Sequence, residues 1–160
     1  MNRPLRILLV DGDNNSRTEF CSRFGHIHNI VPCTNYHEAL IALVPSCKWD
    51  VLLTGMRMKD CPHQVSVSES GLSLLFEAAE AGVRLAVLAV RFYRHRSPVT
   101  DRLLQKEKRY RIARTHVIIR PARLTREGKK DWVSMWEEDC QPLLESGSSV
   151  VVPFSKTGTG

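Results

Sequence analysis

Residues 50–58, Asp50-Val51-Leu52-Leu53-Thr54-Gly55-Met56-Arg57-Met58, decide how this chain is read. Val51 to Thr54 is a short apolar run that starts after an acid and stops at a glycine. That is the pattern of a strand buried within a sheet, too brief for a core helix. Its strand is predicted over Asp50–Thr54, and similar runs lie on either side of it.

Upstream, Leu5-Arg6-Ile7-Leu8-Leu9-Val10 reads as a first buried strand, ended by the turn Asp11-Gly12-Asp13-Asn14-Asn15. Ser16 to Phe24 places Phe20, Cys21 and Phe24 on one helical face, and Gly25 closes that helix. Ile27–Cys33 is a second strand. Thr34 or Asn35 can cap a helix through Glu38, Ala39, Leu40, Leu43 and Val44, which Pro45 ends.

Downstream, Gly71–Ala81 reads as a helix with Leu72, Leu75, Phe76 and Ala79 on its buried face, and Gly82 terminates it. Arg84–Val90 is a fourth strand, Pro98–Ala113 a basic helix, and His116–Ile119 a short fifth strand. A last amphipathic helix is predicted from about Thr125 to Leu144, with Trp132, Val133 and Trp136 on one side. Five strands alternating with five helices make a parallel five-stranded sheet covered on both faces, an α/β doubly wound (βα)5 domain. Function in such sheets gathers at the carboxyl ends of the strands.

The 160 residues suit one domain over 1–144 followed by a flexible tail or linker stub over 145–160. The apolar and charged fractions, 42% and 25%, are those of an ordinary globular protein. Apolar runs such as Leu85–Val90, at most six residues long, fall far short of a membrane span, and a cytoplasmic location is expected. Five cysteines (Cys21, Cys33, Cys47, Cys61, Cys140), odd in number and widely spread, read as reduced thiols and not as a disulfide framework. His26, His28, Cys61 and His63 lack a second ligand pair at zinc spacing, so no metal site is expected.

Several motifs in order carry a resemblance. Ile7-Leu8-Leu9-Val10-Asp11-Gly12-Asp13 with Arg17 comes first, then Glu38-Ala39-Leu40, then Asp50–Met58. Gly71-Leu72-Ser73-Leu74-Leu75 and Arg120-Pro121 follow. Over roughly residues 5–140 the chain resembles the receiver domain of bacterial two-component response regulators, the chemotaxis-regulator-like domain. The resemblance implies a flavodoxin-like fold with strand order 2-1-3-4-5.

It also implies a phosphoryl-transfer site: an acidic pair holding a divalent cation, an acceptor aspartate after the third strand, a hydroxyl after the fourth and a lysine after the fifth. The cation neutralises the transferring group, the carboxylate attacks, and the lysine and hydroxyl bind the phosphoryl oxygens. This chain departs at nearly every position. Asp11 remains, but Gly12 fills the second acidic place, Gly55 replaces the acceptor, Ala89 the hydroxyl and Arg120 the lysine. Val117 stands where an aromatic switch residue is usual. Asp11, Asp13 and Asp60 read as turn-forming, helix-capping acids, and Arg120 is expected to pair with Asp11 in the vacated pocket.

The resemblance therefore implies a pseudo-receiver, acting in signal transduction or transcriptional regulation by protein–protein contact, without phosphorylation, catalysis or cofactor. Residues 59–70 form a longer polar loop expected to cover or flank the pocket. Residues 91–126 hold twelve Arg or Lys against Asp101 and Glu107, a local charge of +10 in a chain of net +6. The rest of the chain is therefore net acidic, and the basicity is local.

That stretch is read as the partner-binding face or a self-association face, helix four to strand five to helix five, centred on Arg102, Lys106, Arg109 and Tyr110. Phe92, Tyr93 and Tyr110 are interleaved, so the alternative is a nucleic-acid-binding regulatory module using the same region. No helix-turn-helix, zinc-finger or RNA-binding signature accompanies it. A small enzyme on this scaffold would need a glycine-rich dinucleotide loop or a nucleophile–base pair, and neither is visible. The tail's Ser155-Lys156-Thr157-Gly158-Thr159-Gly160 resembles the front of a phosphate-binding loop but lacks its Gly-Lys-Ser/Thr end.

Overall fold

The computed structural model describes residues 3–44, 46–91, 98 and 108–146. Its centre is one mixed sheet of six strands: β1 (Arg6–Val10), β2 (Asn29–Cys33), β3 (Val51–Gly55), β4 (Leu85–Val90), β5 (Lys108–Ile112) and β6 (Thr115–Pro121). The order is β2-β1-β3-β4-β6-β5. All neighbours pair in parallel except β5, which runs antiparallel to β6 at the edge. The expected five-stranded order 2-1-3-4-5 is thus corrected by an added edge strand.

That strand occupies the end of the segment read as the helix Pro98–Ala113. In Lys108-Arg109-Tyr110-Arg111-Ile112 the apolar groups Tyr110 and Ile112 alternate with arginines. A period of two cannot serve a helix, and β6 offers a free edge to pair with. The β5–β6 turn includes Ala113, the one non-glycine described residue with positive φ (52°). Residues 99–107 lie outside the described residues.

Among the described residues, three helices, α1 (Asn14–Phe24), α2 (Tyr36–Ala42) and α3 (Ser70–Glu80), and a broken C-terminal helix cover the sheet. Strand side chains alternate between two cores. Ile7, Leu9, Val51, Leu53, Val87 and Ile118 pack with Phe20 and Phe24 of α1 and with Trp132 and Trp136. Leu8, Val10, Leu52, Leu88, Val117 and Ile119 pack on the other face with Ala39 of α2 and Leu74, Leu75 and Ala78 of α3. Phe76, expected inside, is 57% exposed; α3 instead turns Gly71, Leu74, Leu75 and Ala78 inward. Glycine is needed at 71 because the helix start sits directly on the end of β3.

Asn35 is the N-cap of α2, accepting from the Glu38 amide at 3.0 Å, while the Glu38 carboxylate reaches back to the Thr34 amide at 2.7 Å. The last helix begins at Trp132, not near Thr125. Asp131 caps it through the Ser134 amide (3.0 Å), and residues 122–131 form a loop with a Leu124–Lys130 bridge and Gly128 at φ 76°. The helix runs Trp132–Met135, then a π-helical turn Trp136–Cys140, then Gln141–Glu145. The π turn holds Trp136, Asp139 and Cys140 all buried. Of the tail, only Glu145 and Ser146 are described. Among the described residues no helix is long and apolar enough to cross a membrane.

One contact at the base of the sheet sets a pH response. The His28 Nδ1 accepts the Leu5 amide at 3.3 Å, and its ring stands edge-on to Trp136, centroids 5.6 Å apart. Burial, helped by the neighbouring His26, lowers the His28 pKa. The folded state thus binds a proton less readily than the unfolded chain, whose histidine titrates near 6.5. Stability is whole above that value and declines as pH falls from about 6.5 towards the folded value. The thermal midpoint is expected to drop between pH 7 and 5, and His28→Asn, which can still accept the amide, flattens that drop. An identical slope in the variant contradicts the assignment.

Candidate functional site

The carboxyl ends of β1, β3, β4 and β6 bring together the positions singled out in the sequence. Gly55 is in register with Ala89, and Ala89 with Arg120; Val10, one residue before Asp11, is in register with Thr54. Asp11, Gly55, Ala89 and Arg120 follow Leu9, Leu53, Val87 and Ile118 by two residues. They therefore share the face that carries α1 and the C-terminal helix. Gly12 is exposed in the turn beside them.

Asp11 is 2% exposed and fully engaged. One oxygen accepts the Trp132 indole N–H at 2.7 Å, and the other accepts the Asp13 amide at 2.9 Å. The Lys130 ammonium lies 3.3 and 3.4 Å from the two oxygens. The same nitrogen stands 2.9 Å from where a Cβ on Gly55 would be. Lys130 thus fills the space that a side chain at position 55 would enter. The glycine leaves the room; the lysine from the β6-to-helix loop takes it.

Arg120 does not meet Asp11, contrary to expectation. β6 lies three places along the sheet from β1, roughly 14 Å at ordinary strand spacing. A closer acid is available in the π turn: Arg120 pairs with the buried Asp139 and lies 3.9 Å from Glu138, which also binds Arg123 at 2.5 Å. The π turn carries Asp139 and Glu138 to Arg120, and Lys130 replaces Arg120 as the cation beside Asp11.

The other acids are structural. Asp13 caps α1 through the Ser16 amide at 2.8 Å. Burial opposes its ionisation, but the bonds from Ser16 and the charge of Lys129, 3.9 Å away, outweigh it and lower its pKa. Asp60 accepts the hydroxyls of Ser68 (2.5 Å) and Ser70, and these bonds lower its pKa. Its loop is tied down by a Met58–Ser68 bridge and by Tyr36 and His37 amides on the Lys59 and Asp60 carbonyls. Residues 59–70 therefore fold against the start of α2.

These donors do not fit a divalent cation. Such an ion takes six or more oxygens, carboxylates foremost. Here Asp11 is occupied by three N–H donors, Lys129 and Lys130 bring two positive charges, and Gly55 contributes no carboxylate. Among the described residues no three His, Cys, Asp or Glu side chains are grouped as metal ligands. Nor is a thiolate poised nearby. Burial, with the Glu38 charge, pushes the Cys33 thiol up to about 11, and burial raises Cys140 as well. Arg102 and Lys106 lie outside the described residues. Arg109 and Tyr110 are exposed on the β5 edge strand, Tyr110 at 46%.

Sequence reasoning missed Lys130 and Trp132 as site residues, because 125–144 read as one helix. The available signal was Asp131-Trp132-Val133-Ser134, an N-cap pattern that starts the helix about seven residues later and frees 125–131 as a loop.

No protein-family model matches the chain, and no curated protein matches it. Among solved structures it is similar to the solution structure of a beryllofluoride-activated NtrC receiver domain, with 22% sequence identity and a TM-score of 0.39, covering 63% of this chain and 73% of that one.

Proposed function

We propose that this chain is a pseudo-receiver: a regulatory domain of receiver type that acts by protein–protein contact and neither takes up a phosphoryl group nor catalyses a reaction. The observation that supports this reading is Lys130. Its ammonium stands both on the Asp11 carboxylate and in the space above Gly55. A receiver's switch depends on charge added at that place, whereas here an internal cation already balances Asp11. The conformation is then constitutive, and regulation falls to whether the partner is present.

The contact surface in this reading is the basic edge at β5 with the segment preceding it, Arg102, Lys106, Arg109 and Tyr110. A sheet edge can accept a further strand, and arginines along it favour an acidic partner and oppose a second basic edge. The triple variant Arg102→Glu, Lys106→Glu, Arg109→Glu is expected to lose at least tenfold in partner recovery when the chain is used as bait, with its folding checked by circular dichroism. Equal recovery by variant and wild type contradicts this face. Loss of partners only after nuclease treatment would assign the face to nucleic acid instead, as would steeply salt-dependent retention on DNA.

A further inference from the structure

We propose that the opposite, amino-terminal end of the sheet carries a second site, one that binds a small phosphate monoester with an aromatic or aliphatic body. Two adjoining hollows make it. The first is a chamber of about 410 Å³ whose apolar walls are Leu5, Phe24, Ile27, Trp136 and Leu144. That volume is in the range of small-molecule pockets, and the apolar walls are interrupted by the polar side chains of Arg3, His28, Arg84, Gln141 and Glu145. The second is a cleft of about 170 Å³ lined by Arg84, Arg111, Arg114 and His116, with Leu143. Arg84 and Leu144 line both, so the apolar chamber opens onto the cationic cleft.

The charges are arranged for a ligand. Arg111 and Arg114 have no acidic partner among the described residues. Arg84 is held by one nitrogen only, 3.7 Å from Asp50, which leaves most of its five N–H donors free. Asp50 is itself buried, fixed by the Arg6 amide at 2.9 Å and by Arg3 at 2.5 Å. It therefore anchors Arg84 in place. In the chamber the Nδ1 of His28 already accepts the Leu5 amide, so the neutral ring carries its proton on Nε2, a donor left for a ligand. The one acid lining the chamber, Glu145, is engaged by Gln141 at 2.9 Å.

Three guanidinium groups converging on one cleft suit a doubly charged oxyanion, since each can donate two parallel N–H bonds. A bare phosphate leaves the apolar chamber unused, and a neutral aromatic leaves the arginines unused. Only a molecule with both parts satisfies both hollows. The site lies at the other end of the strands from Asp11 and Gly55, so it stands or falls apart from the pseudo-receiver reading.

The test is an amide NMR and calorimetric titration of the full chain with 1-naphthyl phosphate, inorganic phosphate and 1-naphthol. The expected result is saturable binding of naphthyl phosphate at least tenfold tighter than either half, with shifts at Ile27, His28, Arg84, Arg114 and Leu144. Arg111→Gln/Arg114→Gln, both at exposed positions, should weaken naphthyl phosphate at least tenfold and leave 1-naphthol unchanged. Ile27→Ser should weaken both aromatic probes and not inorganic phosphate. Equal affinity for phosphate and naphthyl phosphate overturns the proposal. So does an unchanged affinity in the arginine variant, or shifts confined to another part of the chain.

Discussion

Gly71→Ala is expected to destabilise the domain by about 3 kcal/mol, the upper end of the usual cost of overpacking. In an ordinary helix the same change stabilises by roughly 0.5–1 kcal/mol, so the sign itself is diagnostic. The reason is the seat of α3 on β3. A Cβ at position 71 would lie 1.9 Å from the Gly55 carbonyl oxygen and 2.9 Å from the Met56 Cα. Both are backbone atoms and cannot turn aside. The Gly71 amide also donates to the Met56 carbonyl at 2.9 Å, which pins the helix start to the strand end. Urea denaturation measures the change. A more stable variant contradicts the close packing that holds Gly55 in position.

Lys130→Met is expected to cost about 3 kcal/mol. Removing one member of a buried pair typically costs 3–5 kcal/mol because the other charge is left in a poor solvent. Asp11 keeps two donors, the Trp132 indole and the Asp13 amide, which places the effect at the low end. Asp11→Asn added to Lys130→Met should recover part of the loss, since it removes the unbalanced charge; the amide oxygen accepts one of the two bonds, and its NH2 faces the other donor. Lys129→Met is the control. Its ammonium is farther from its acid, 3.9 Å from the half-exposed Asp13, and its loss should stay within about 0.5 kcal/mol. If Lys130→Met and Lys129→Met behave alike in denaturation, Lys130 is a surface lysine and the filled pocket is wrong.

The alternation of apolar runs and helical faces was enough to place β1, β3, β4, β6 and three helices, because burial on both faces of a parallel sheet writes a strong local signal; β2 was placed as well, although this edge strand is exposed over most of its length. What local patterning could not show was long-range. Strand β5 depends on pairing with β6, and its basic composition reads equally as a solvated helix. The turn of α3 that exposes Phe76 follows from Gly71, whose smallness matters only once β3 lies beneath it.

The site divides in the same way. Gly55, Ala89 and Arg120 could be singled out one by one, since each departs from the pattern at its own position. The partner of Asp11 could not. Lys130 lies 119 residues away and reaches the pocket only because Asp131 starts the last helix late and leaves 122–131 as a loop. Arg120 had the right charge for that role, but the π turn provides Asp139 nearer at hand.

The most direct test of the pseudo-receiver reading is an amide NMR titration of the full chain with magnesium, then with beryllofluoride. The account predicts no saturable shifts around residues 11–13, 55, 89 and 120, because Lys130 holds the place that both ligands need. Saturable, site-specific shifts there, reaching Asp11 or Asp60, would show a working phosphoryl site and contradict it.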